Sequence, residues 1–156
     1  MSQTSDNIKI TGEVDVHLYN ETETISRQII SNLVVNAGKE MFIKRLIGAT
    51  GATGPNYMAL GTGNTGALVT QTNLQYELGG SRVAFNSGYP TLTQTSITFQ
   101  STWPAGTATS STINEAGIFQ TGSTGASGML CRTVFNSTIN KTASDILTVS
   151  WTITIN

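Results

Sequence analysis

The stretch Ile146-Leu147-Thr148-Val149-Ser150-Trp151-Thr152-Ile153-Thr154-Ile155-Asn156 decides the fold. Leu147, Val149, Trp151, Ile153 and Ile155 share one parity, and Thr148, Ser150, Thr152 and Thr154 share the other. A period of two over this length marks a strand with one face in a core and the other toward water. It is the strongest strand pattern in the chain, so it is expected to dock in the core. Two further apolar runs precede it, Ile113 to Phe119 and Met129 to Phe135. A Gly/Ser-rich turn separates them, and the polar break Asn136 to Ser144 leads on to the last run. Runs spaced by turn residues in this way predict an antiparallel meander.

The earlier chain repeats the pattern. Residues 1 to 7 are polar and read as a flexible arm that orders on a partner. Residues 8 to 156 read as one domain, long enough for a sizeable core. Ile8 to Tyr19 alternates as a strand, with Ile8, Ile10, Val14, Val16 and Leu18 on one side. Thr24 to Val35 is a second strand with weaker alternation, bulged or covered on both faces. Asn36 is placed as the N-cap of a helix over Ala37 to Ile47, ended by Gly48. Phe42, Ile43, Leu46 and Ile47 form its apolar stripe, which is expected to close one end of the core. Gly48 to Pro55 reads as a surface loop, because its two Gly-led triplets are too few for a triple helix. Short strands are expected at Tyr57 to Leu60 and Ser81 to Phe85. Leu92 to Thr102 reads as a Thr-rich strand, broken by Trp103-Pro104-Ala105-Gly106. About eight strands and one short amphipathic helix predict an all-β antiparallel sandwich, with a jelly roll as one form of it.

Composition narrows the function. Only 11% of residues are charged, against roughly 25% in average proteins, and the net charge is -1. A chain with so little charge has no long-range attraction for nucleic acid or anionic membrane. Its hydroxyl-rich surface also offers little repulsion against self-association or docking. No run is apolar enough for a transmembrane helix, and the polar N-terminus does not read as a secretory signal. The expected place of synthesis is a cytosol. The single cysteine, Cys131, excludes an intramolecular disulfide and reads as a buried small hydrophobe.

Catalytic motifs do not assemble. Gly61-Thr62-Gly63-Asn64-Thr65-Gly66 matches G-x-G-x-x-G, but a dinucleotide site also needs a helix there and an acid about 20 residues on. No acid lies between Glu77 and Glu115. The glycines read instead as a tight turn with positive φ. Glu13, Asp15 and His17 share a strand face, a row that could hold a metal but that also describes any solvated face. His17 is the only histidine, and no nucleophile elbow is present. No metal, cofactor or catalytic residue is therefore expected. Glu115 stands in an otherwise apolar strand, and Arg132 on the next run is its expected structural ion-pair partner. Trp151 fits the core. Trp103, beside Pro104 at a strand end, reads as a surface anchor, and with Tyr57 and Tyr89 it could form a platform for stacking sugars.

Several segments together carry a resemblance. They are Asn32-Leu33-Val34-Val35-Asn36-Ala37-Gly38-Lys39 entering the helix, Met58-Ala59-Leu60-Gly61-Thr62-Gly63, Ile113-Asn114-Glu115-Ala116-Gly117-Ile118-Phe119, Met129-Leu130-Cys131-Arg132-Thr133-Val134-Phe135, and Ile139-Asn140-Lys141 leading to Leu147 through Ile155. In this order they resemble small virion structural proteins of tailed bacteriophages, of the capsid cement (decoration) or tail-fibre-related kind. The resemblance implies a structural protein without enzymatic activity. It implies assembly in the host cytoplasm and a place on the virion; the size, the rigid β-sandwich, the near-neutral hydroxyl-rich surface and the polar arm at residues 1 to 7 favour the head exterior. The expected partners are the major capsid protein and other copies of the chain, with a homotrimer favoured. Expected contacts are Ser2, Gln3 and Thr4 of the arm, Thr53 and Pro55 of the loop, and Trp103 and Pro104. A fibre or baseplate adaptor and a virion carbohydrate-binding module are the alternative readings.

Overall fold

Strand β10 (Ile146–Ile155) lies in the middle of a five-stranded sheet, as its alternation requires. The computed structural model describes residues 7–156. The other elements are β1 (Ile10–Tyr19), β2 (Thr24–Ser31), β3 (Leu33–Val34), α1 (Asn36–Leu46), β4 (Tyr57–Gly61), β5 (Val83–Ala84), β6 (Thr91–Thr93), β7 (Ser96–Trp103), β8 (Ser110–Phe119) and β9 (Met129–Lys141). One sheet has the order β2-β1-β10-β7-β6, the other β3-β9-β8-β4-β5, and every pairing is antiparallel. The protein is an all-β sandwich with one short helix.

The inner faces supply a shared core. Val14, Val16, Leu18, Phe99, Trp103, Leu147, Val149 and Trp151 come from the first sheet, and Met58, Leu60, Ile113, Ile118, Leu130 and Phe135 from the second. On the outer face of the first sheet, hydroxyls pair across directly opposed positions. Ser96 meets Thr154 at 2.8 Å, Thr98 meets Thr152 at 2.9 Å, and Thr102 meets Thr148 at 3.0 Å. This ladder explains the threonine content of β7 and β10. Each hydroxyl has a partner next door, and the β-branched body suits the pleat.

The meander expectation is corrected. β8 and β9 pair, but β10 crosses to the other sheet and pairs with β1 and β7. The expected second strand also divides. β2 belongs to the first sheet and β3 to the second, and the crossing is at Asn32. There the Asn32 N–H donates to the Gly12 carbonyl at 3.2 Å. A Cβ on Gly12 would fall 1.6 Å from Asn32 Oδ1, so only glycine admits the crossing side chain. The expected strand over Leu92 to Thr102 becomes a hairpin, β6 and β7, turning at Gln94 with φ 45°.

Helix α1 differs in two ways from the expectation. Its first helical residue is Asn36, and the N-cap is Val35, with no side-chain cap hydrogen bond. The face that packs is Gly38, Met41 and Phe42, not the stripe through Ile43, Leu46 and Ile47. A Cβ on Gly38 would come 2.0 Å from the Leu130 carbonyl oxygen, so the helix backbone rests directly on β9. That contact fixes the rotation of the helix and turns the isoleucines outward. No helix among the described residues is long and apolar enough to cross a membrane.

Candidate interaction surface

The long connection between β4 and β5 is held by two acid–base pairs. Glu115, on β8, is fully buried, and Arg132 on β9 donates from Nε to its Oε2 at 2.7 Å. The same carboxylate accepts three backbone N–H groups, from Gly63 at 2.9 Å, Gln75 at 3.0 Å and Tyr76 at 2.8 Å. Arg132 also donates from Nη1 to the Thr65 carbonyl at 2.9 Å and to Gln71 Oε1 at 3.1 Å. A buried carboxylate needs this many donors to replace water.

The glycines of the G-x-G-x-x-G segment serve this network. Neither Gly61 nor Gly63 has positive φ, which corrects the turn expectation. A Cβ would lie 2.5 Å from Glu115 Oε1 at Gly61 and 2.6 Å at Gly63. They are glycine because the backbone must approach the carboxylate.

The second pair was missed in the sequence. Arg82 binds both oxygens of Glu77, from Nε at 2.7 Å and Nη2 at 3.0 Å. It also donates to the carbonyls of Thr121 and Ala126 and stacks over the Phe119 ring, 3.8 Å from its centroid. Glu77 in turn accepts the Gly125 N–H at 2.9 Å. The two residues lie close in sequence, but their loop partners lie 39 to 48 positions later. No local pattern shows this.

In the row Glu13, Asp15 and His17, the last two are engaged by neighbours. Arg27 Nε donates to Asp15 Oδ1 at 2.9 Å, and this hydrogen bond holds the Asp15 carboxyl below its ordinary range. His17 Nε2 lies 3.0 Å from Thr24 Oγ1, and its ring stacks on Tyr19. Cys131 is fully buried, and desolvation pushes its thiol far above the ordinary range.

One group of exposed apolar side chains lies at α1. An open cleft of about 330 Å³ runs between the helix and β7, walled by Met41, Phe42, Ile97, Phe99 and Leu130, with Pro55 at its lip. Outside the cleft, Ile43 is 61% exposed, Leu46 87% and Ile47 72%. Single exposed apolar side chains need no explanation, but Ile43, Leu46 and Ile47 lie close together at the end of the helix.

The expected contact residues fare differently. Ser2, Gln3 and Thr4 lie outside the described residues. Thr53 is exposed on the loop before β4, where Gln120 Nε2 donates to its carbonyl at 2.7 Å. Pro55 is half-buried at the cleft, and Pro104 is exposed at the far end of the sandwich. The surface anchor at Trp103 is corrected. Its side chain is 0% exposed, and Nε1 donates to the Ser81 carbonyl at 2.6 Å. The following proline ends the strand but leaves the indole on the inward parity of β7, where it enters the core. A sugar platform of Trp103, Tyr57 and Tyr89 therefore does not form.

No protein-family model, curated protein or solved structure matches the chain.

Proposed function

We propose that this protein is a non-enzymatic structural component of a tailed-phage virion, and specifically a capsid cement protein. It would bind the outside of the head across seams between major capsid protein subunits. The observation that carries the reading is the open apolar cleft beneath α1, with Pro55 at its lip and Thr53 beside it. A concave apolar notch on a rigid sandwich suits a protruding side chain of a protein neighbour. The ordered resemblance of the sequence to phage virion proteins supplies the identity of that neighbour. The low charged fraction, 11%, agrees with docking to the head that does not depend on long-range electrostatic steering.

Cementing follows from linkage. A protein that binds the assembled shell and not its separated subunits stabilises the shell by its binding free energy. Many copies, each bridging two subunits, raise the effect through effective concentration. The test mixes purified protein with undecorated heads, pellets them and follows thermal rupture. Saturable co-pelleting with a higher rupture temperature is expected. Absence of head binding, with the protein found on detached tails, would replace this reading with a fibre or baseplate adaptor.

A further inference from the structure

We infer that the outward face of α1 is covered by the β1–β2 hairpin of a second copy. This inference uses the reading of α1 as a protein-docking face and does not depend on placement in a virion.

The first argument is charge. Four acid–base pairs form within the described chain, Asp15–Arg27, Glu40–Lys44, Glu77–Arg82 and Glu115–Arg132. Lys141 is buried with Asp145 close by. Among the described residues this leaves the cations Lys9, Lys39 and Arg45 and the anions Glu13, Glu21 and Glu23. Apart from Glu13 they are segregated. Lys9 and Lys39 line one hollow at the start of α1, and Arg45 lies at its last turn. Glu21 and Glu23 lie on the turn joining β1 to β2, whereas Glu13 lies near the start of β1.

The second argument is apolar surface. The cationic end displays Ile43, Leu46 and Ile47, and the anionic hairpin displays Ile25 and Ile29 on β2. β2 is also an edge strand, so one side of its backbone is unpaired within the sheet. Each patch thus has what the other lacks in charge and matches it in apolarity. Two copies of α1 facing each other would instead bring together Lys39, Lys44 and Arg45 from each, against one Glu40, and would repel.

The third argument is position. Phe42 of α1 packs beside Ile153 and Ile155, at the end of the sandwich where β1 begins. The hairpin turn lies at the other end, beside Ile146. A ten-residue strand at about 3.3 Å per residue separates them by roughly 30 Å. The two patches of one molecule cannot meet, so the contact is intermolecular. The two patches differ, so closure needs either a two-fold pair that makes the contact twice or a ring in which each copy makes it once.

Sedimentation equilibrium of the purified chain tests this, with circular dichroism to confirm that each variant is folded. The wild type is expected as a closed oligomer. Leu46→Glu, the hairpin reversal Glu21→Lys/Glu23→Lys and the helix reversal Lys39→Glu/Arg45→Glu should each weaken assembly about tenfold or more. Combining both reversals in one chain should restore it. A monomeric wild type, or assembly indifferent to the hairpin reversal, would overturn the inference. Monomers that still pellet with heads would overturn it while leaving the cement reading intact. Oligomers that ignore heads would do the reverse.

Discussion

Glu115 and Gly63 meet across 2.9 Å, carboxylate oxygen to backbone N–H, at a point where any Cβ on the glycine would strike that same oxygen. The close approach separates this glycine from its neighbour Gly66, around which nothing lies within 4 Å. Gly63→Ala is expected to destabilise by about 1–3 kcal/mol through overpacking. Gly66→Ala should stay within about 0.5 kcal/mol. Urea unfolding of both variants checks the contrast, and equal effects would sink the account of the G-x-G-x-x-G segment.

Glu115→Gln leaves Arg132 buried without its anion and turns an amide N–H₂ toward backbone donors. Breaking a buried pair from one side costs about 3–5 kcal/mol. The double variant Glu115→Gln/Arg132→Met should lose less than the sum of the single losses, because the stranded charge is gone. Thermal and denaturant unfolding of the three variants gives the coupling, and additivity would show that the pair does not act as a unit.

Acid should act in part through Asp145. The Thr142 hydroxyl and N–H both donate to its carboxylate at 2.7 Å, and the hydroxyl bond is the chief reason its carboxyl sits below the ordinary 3.8. A lowered carboxyl contributes stability that is fully present above 3.8 and lost as pH falls through the folded value. Asp145→Asn should therefore be less stable than wild type at neutral pH, with the difference shrinking below that point. A gap that stays constant from neutral pH into that range would contradict the assignment.

Cys131 should resist alkylation in the folded protein. Its thiol is fully buried and held protonated by desolvation. Iodoacetamide labelling is expected to follow global unfolding, with the labelling midpoint at the urea midpoint. Fast labelling in native buffer would show that β9 opens locally.

Much of the fold was legible because strand alternation is a local property. Leu147 to Ile155 and Ile10 to Leu18 alternate in sequence as they do in the sandwich. Partner choice is not local, so the crossing of β10 to the other sheet could not be read from its own residues. The face of α1 was misread for a different reason. The helix is apolar on both sides, and the decisive contact comes from Gly38, which has no side chain to signal it. Trp103 looked exposed beside Pro104, but its N–H reaches Ser81, 22 positions earlier. The Glu115–Arg132 pair was readable because an isolated acid in an apolar strand demands a cation, and the adjacent strand offers one.

The pairing of β1 with β10 along ten residue pairs sets a schedule for synthesis. While a ribosome is still making the middle of the chain, β1 and β2 have only each other, and a lone two-stranded hairpin is marginal in water. The second sheet can begin earlier, since β8 and β9 are consecutive. The first sheet must wait until residues 146–155 have left the exit tunnel. Its closure is therefore late, non-local and slow by the usual topological measure. Throughout that wait the edge of β1 that will receive β10 is bare, so the nascent chain is most vulnerable to mispairing before its last strand arrives.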